Sequence, residues 1–188
     1  MLQSVDIVEQ TNPDIIDINF GCPVKKVVCK GAGAGILKDI DKMEMLTREM
    51  VKRTKLPVTV KTRLGWDEKS IKIVEVAERI QDAGAKAITI HGRTRAQMYK
   101  GFADWAPISE VKNNPRMNIP VFGNGDVNSP EKAVEMRDKY GLDGAMIGRA
   151  SIGNPWFFNH VKYYFKTAEH LPFPMINERI DMARRHLE

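Results

Sequence analysis

The stretch DINFGCPVKKVVCKGAGAG, from Asp17 to Gly35, decides how the chain is read. A strand-like run stops at Gly21, and Cys22 stands between that glycine and Pro23. A cysteine there is open to four readings: metal ligand, nucleophile, proton donor or small core residue. The rest of the chain has to choose among them.

Working outward, the run DIIDINFG from Asp14 is the first of five that are rich in β-branched and apolar residues. PVTVKTRLG from Pro57, AITIHGR from Ala87, IPVFGNGD from Ile119 and DGAMIGR from Asp143 follow. Each leads into a loop with Gly, Asn, Asp or Arg and then a helix-like stretch. Ile71, Val74, Ala77 and Ile80 recur near the helical period, with Gly84 as a stop. Ser129 and Pro130 read as an N-cap and first helical position. Strand and helix alternating at this spacing predict βα units on a parallel sheet. A complete (β/α)8 barrel takes about 250 residues, whereas 188 residues hold five such units. A complete five-stranded doubly wound sheet is the alternative. The GAGAG of residues 31–35 stands too far from its strand, with the wrong spacing, for a dinucleotide fingerprint.

Composition sets the bounds. A chain of this length hides roughly 70% of its unfolded surface, enough for a real core. Two cysteines, Cys22 and Cys29, are not spaced as C-x-x-C, so neither a zinc set nor a disulfide framework is expected. No apolar run approaches the ~20 residues of a membrane span, and no signal-peptide pattern opens the chain. A cytoplasmic protein is expected. The formal net charge of +5 is compatible with an anionic partner such as RNA without requiring one.

Polar groups gather where each strand ends: Asn19 and Cys22, Lys61 and Arg63, His91 and Arg93, Asn124 and Asp126, then Arg149. One such group is ordinarily a solvated cap. Five strands placing them at the same end predict a site, since parallel α/β proteins build theirs there. The loops GNGD and GRASIGNPW put small residues and backbone N–H groups side by side, as phosphate sites after barrel strands 7 and 8 do.

The motifs DINFGCPVKKVV, KGAGAGIL, VTVKTRLGW, ITIHGRTRAQMYKGFADW, IPVFGNGDV and GAMIGRASIGNPWFF run in order along nearly the whole chain. In them the chain resembles the bacterial tRNA-dihydrouridine synthases, the B-type branch above all. The resemblance implies an FMN-dependent TIM barrel that reduces uridines of tRNA to 5,6-dihydrouridine, with NADPH recharging the flavin. It makes Cys22 a proton donor to C5 of the uracil after hydride reaches C6. A thiol of ordinary pKa, near 8.5, keeps its proton at neutral pH. The glycines after it are expected to let its loop move. Lys61 and His91 match flavin-contacting residues. Asn124, Gly125, Asp126, Gly148 and Arg149 match a phosphate and ribityl cradle. Asn19 is expected to hold the flavin or the base, and Arg63, Arg93 and Arg95 to contact RNA or substrate. Lys25, Lys26 and Lys30 stand near the expected mouth, and Cys29 has no matching role. Tyr99 and Trp105 are candidates for stacking on nucleotides, with burial the alternative for Trp105.

The resemblance places the chain at barrel strands 4 to 8. Residues 1–166 are then a partial FMN-binding barrel, and 167–188 the start of a helical tRNA-binding domain. An open sheet of this kind is expected to bare two edges and a hydrophobic face. Association into a homo-oligomer or edge-paired dimer is expected to follow, with flavin affinity and activity reduced. Two other functions stay open: an FMN barrel acting on a free pyrimidine, and a flavin-free RNA-binding or assembly module.

Overall fold

The computed structural model describes residues 2–187. Five strands form one sheet: β1 (Ile16–Asn19), β2 (Val58–Arg63), β3 (Ala87–His91), β4 (Val121–Asn124) and β5 (Gly144–Met146). Every pair is parallel, and the order in space is β1-β2-β3-β4-β5. A doubly wound sheet reverses its strand order part-way across. Here the order never reverses, as in a barrel wall. The chain therefore has the α/β fold of the (β/α)8 TIM-barrel family, with five βα units present.

The helices are α1 (Leu2–Glu9), α2 (Lys25–Val28), α3 (Ile40–Arg53), α4 (Ile73–Asp82), α5 (Ala106–Asn113), α6 (Pro130–Lys139), α7 (Phe157–Thr167) and α8 (Ile176–Leu187). Their starts follow local chemistry. Ser129 accepts a hydrogen bond from the Lys132 N–H and Asp39 accepts one from the Lys42 N–H, N-caps each worth ~1 kcal/mol. α4 differs from expectation by a shift of phase. Asp67 and Ser70 cap one another across a separate turn, Glu68–Ser70, so Ile71 lies outside the helix and is exposed. Ile73, Val76, Ala77 and Ile80 form the buried stripe instead. Gly84 ends that helix at φ +104°, where an added Cβ would stand 2.9 Å from Val51 Cγ1.

All these helices except α8 bury residues on one side of the sheet. Val58, Val60, Ile88, Ile90 and Val121 point there and join Met43, Met50, Val76, Ile80, Ile108 and Val111 in a continuous core. The strand residues between them point the other way. None of Asp17, Asn19, Thr59, Lys61, Thr89, Phe122, Asn124 or Met146 belongs to that core. This corrects the expected hydrophobic open face. Apart from Ala87, Phe122 and Met146 the side chains of the open face are polar, and its strands are tied by pairs such as Thr59 Oγ1 to Asp17 Oδ1 at 2.6 Å. The outer edges of β1 and β5 pair with no described strand. α8 leaves no residue buried, and no described helix is long and apolar enough to cross a membrane.

Candidate active site

A cavity of about 960 Å³ opens where the strands end. Asn19, Cys22, Lys61, Arg63, His91, Arg93, Asn124, Gly125, Asp126, Gly148 and Arg149 all line it. Of the residues singled out from the sequence, Arg95, Trp105, Lys25, Lys26 and Lys30 do not. Arg95 lies against an aromatic ring. Its guanidinium lies 4.5 Å from the centre of the Trp66 ring, which Lys38 Nζ also approaches at 3.8 Å.

Cys22 is fixed from three sides. Asn19 Oδ1 accepts from the Gly21 N–H at 3.0 Å, and Arg63 Nε donates to the Gly21 carbonyl at 2.8 Å. The Cys22 carbonyl accepts from the Ala34 N–H at 2.9 Å. A Cβ on Gly33 would stand 2.8 Å from that carbonyl oxygen and 2.9 Å from Cys22 Cβ, and one on Gly35 2.7 Å from the Val28 carbonyl oxygen. Gly33 and Gly35 are therefore closely packed, whereas a Cβ on Gly31, at φ +70°, would meet nothing within 4 Å. Gly33 to Leu37 form a buried 3₁₀ turn pressed beneath the cysteine.

Lys61 and His91 stand on the open face. Burial, reinforced by Arg63, pulls the Lys61 ammonium down to about 8. Burial, then the charges of Arg63 and Lys61, pulls His91 down to about 4, so its imidazole is neutral at pH 7. The Asn124 amide donates to the Met146 carbonyl at 2.8 Å and presents Oδ1 to His91 Nδ1 at 2.9 Å. Nδ1 therefore carries the proton, and Nε2 is left as a buried acceptor with no partner.

The loop after β3 is held from below by arginines. Arg63 Nη1 donates to the carbonyls of Thr94 and Met98, and Arg93 to those of Lys100 and Gly101. Arg93 also pairs with Asp126 at 2.7 Å, and Arg149 reaches the same carboxylate at 3.1 Å. Burial opposes ionisation of Asp126, but the Ala103 N–H and the two guanidiniums outweigh it and hold the carboxyl below its usual range. Arg63 and Arg93 are only 4% and 2% exposed. Both guanidiniums are thus turned to backbone carbonyls and to the cavity wall rather than to the outer surface. Trp105 is fully buried and donates to the Gly125 carbonyl. A Cβ on Gly123 would stand 2.1 Å from its ring, and one on Gly125, at φ +127°, 2.5 Å from Ala103 Cβ. A Cβ on Gly148 would meet nothing within 4 Å, which leaves its backbone open to the cavity.

The family model for dihydrouridine synthase (Dus) matches residues 1–188. The chain belongs to the dihydrouridine synthase family. It is 44% identical over 173 residues to the probable tRNA-dihydrouridine synthase 1 of Synechocystis sp., covering 92% of this chain and 48% of the relative. Identity with tRNA-dihydrouridine synthase B of Pseudomonas putida is 42% over 178 residues, 95% of this chain and 52% of that one. The chain thus spans about half the length of the curated relatives it matches. Solved structures share the fold at low identity. Mandelate oxidase overlays with a TM-score of 0.56 at 19% identity, over 80% of this chain and 46% of that one. 2,3-Dimethylmalate lyase gives 0.54 at 12%, over 99% and 62%.

Sequence reading missed Phe102, Asn128 and Met146 on the cavity wall. Asn128 follows a strand end already marked by GNGD, a signal that was available. Phe102 carries no such signal, because an aromatic in a loop is read as core until the loop's course is known.

Proposed function

We propose that this chain carries the reaction centre of an enzyme that reduces specific uridines of tRNA to 5,6-dihydrouridine, with FMN as its cofactor and NADPH as reductant. The observation that carries the reading is the convergence of a thiol, a lysine with no ion-pair partner among the described residues and a neutral histidine on one cavity. The residues present fit a flavin. His91 Nε2 is a buried acceptor that wants a donor, such as a ring N–H or a ribityl hydroxyl. Lys61 supports negative charge on the ring edge. Gly148, with Asn124, Gly125, Asp126 and Arg149, offers room and polar atoms for the phosphate and ribityl chain.

Lys61, His91 and the Asn124–Asp126 and Gly148–Arg149 loops would hold FMN, which, once reduced by NADPH, would supply hydride for C6 of the uracil. Cys22 supplies the proton at C5, so one hydride and one proton saturate the C5–C6 bond, and solvent returns a proton to Sγ. Asn19 and Arg63 hold the Cys22 segment through Gly21. Arg93 shapes the cavity through the β3 loop and Asp126, while Arg95, outside the cavity, belongs to the outer RNA path. The target base has to leave its stack to enter, and exposed Lys25, Lys26 and Lys30 offer phosphate contacts. Residues 167–188 are assigned to the start of a helical tRNA-binding domain. The unpaired edges of β1 and β5 support association of copies.

An absorbance titration with FMN, with size-exclusion mass measured alongside, tests this directly. One flavin per chain is the expected result, and no binding overturns the cofactor assignment. Cys22→Ala is then expected to bind flavin unchanged and to form dihydrouridine in tRNA about 10²–10⁴-fold more slowly. An unchanged rate removes Cys22 as the proton donor.

A further inference from the structure

The rim of the cavity carries an apolar ring that the reaction does not use. Phe102 is 90% exposed, on the loop between β3 and α5, and it borders the cavity together with Tyr99. An exposed aromatic on a loose loop carries little meaning. This loop is not loose. Arg63 holds its Thr94 and Met98 carbonyls, Arg93 those of Lys100 and Gly101, and the Ala103 N–H is tied to Asp126 at 2.7 Å. Gly101, at φ +64°, turns the chain immediately before Phe102, and a Cβ there would meet nothing within 4 Å.

The two rings of the loop are used differently. Tyr99 lies between two cations, with Arg63 at 6.0 Å and Arg149 at 5.8 Å from its centre. Phe102 makes no such ring or cation contact with any described residue, so both its faces are free. Its surroundings are basic. Arg149 is exposed on the same rim, and the exposed Lys100, Lys25 and Lys26 adjoin the rim residues Tyr99, Gly101 and Val24 in the chain. A flat apolar face set among cations matches a partner with flat bases and an anionic backbone.

We propose that Phe102 is a stacking platform for the nucleobase next to the one that enters the cavity, fixing the neighbouring nucleotide while the target is extruded. The inference rests on the tRNA reading above and extends it to a specific positioning residue. Unstacking the target deprives its neighbour of a stacking partner, and a rigid ring at the rim replaces that partner.

The test is equilibrium binding of an unmodified tRNA transcript to the wild-type chain, Phe102→Ala and Phe102→Trp over a range of salt. Phe102→Ala is expected to weaken binding about ten-fold, with Phe102→Trp close to wild type. The slope of log K against log salt should stay that of the wild type, because no phosphate contact is lost. Equal binding by Phe102→Ala and wild type overturns the platform and leaves the tRNA reading standing. A smaller salt slope in Phe102→Ala overturns it in favour of a backbone contact. A fall in size-exclusion mass with tRNA affinity unchanged overturns it in favour of a contact between copies. A wild-type chain that binds no tRNA overturns both the platform and the function it rests on.

Discussion

The two faces of the sheet are built to opposite specifications. On the helix side, Val60, Ile88, Ile90, Trp105, Ile108 and Val121 are completely buried and make apolar contacts. On the open side, Asp17, Asn19, Thr59, Lys61, Thr89 and Asn124 stand in alternation with them on the same strands. A parallel sheet in an α/β protein ordinarily buries apolar residues on both faces. Here one face supplies the free energy of folding and the other spends part of it, holding a desolvated lysine and a histidine with an unpaired nitrogen. The comparison teaches that stability and chemistry are separated residue by residue along a strand, by a period of two.

If the separation is real, the largest stability losses belong to the helix side. Trp105→Ala is expected to cost about 3–5 kcal/mol, since it empties the space over Gly123 that no other side chain fills. Urea unfolding followed by circular dichroism reads this, and a loss under about 1 kcal/mol would break the comparison. Next comes the rim, where both demands meet. Asp126→Ala leaves buried Arg93 without its carboxylate and is expected to cost about 3 kcal/mol. It should also raise amide exchange in the loop around Gly101, which a purely local loss would leave unchanged.

The open face should behave in the reverse sense. Lys61→Met is expected to stabilise the chain at pH 7, by on the order of 1–2 kcal/mol, while flavin affinity falls. The sign follows from linkage. Lys61 titrates at about 8 in the folded chain against an ordinary 10.5, so the unfolded chain binds more protons between those values. Stability therefore rises from about pH 8 to about 10.5 in the wild type, and Lys61→Met should abolish that rise. His91, at about 4 against 6.5, makes stability fall as acid is added through that window. Denaturation midpoints across pH measure both, and a profile identical in Lys61→Met would show that the lysine is solvated.

Much of this was legible from residues alone, for reasons that can be named. The five strands announce themselves because β-branched runs and turn residues are local signals, and Ser129 with Pro130 marks a helix start within two positions. Cys22, Lys61, His91 and the GNGD loop were found by their place at strand ends, which topology converts into one cavity. The α4 stripe was misphased because a mutual cap between Asp67 and Ser70 delayed the helix.

The sequence by itself determined the parallel α/β class, the family and the residues that face one another at the strand ends. All of these depend on local periodicity and on motifs whose order survives in one dimension. Only the tertiary structure decided what the glycines and arginines are for. Gly33 and Gly35 are pressed against other backbone, and Arg63 and Arg93 are spent on carbonyls up to 42 residues away. A small side chain and a long cationic one look the same on paper whether they serve freedom or packing, solvent or interior. Which they serve depends on what the fold brings within a few ångströms, and that distance is not written in sequence separation.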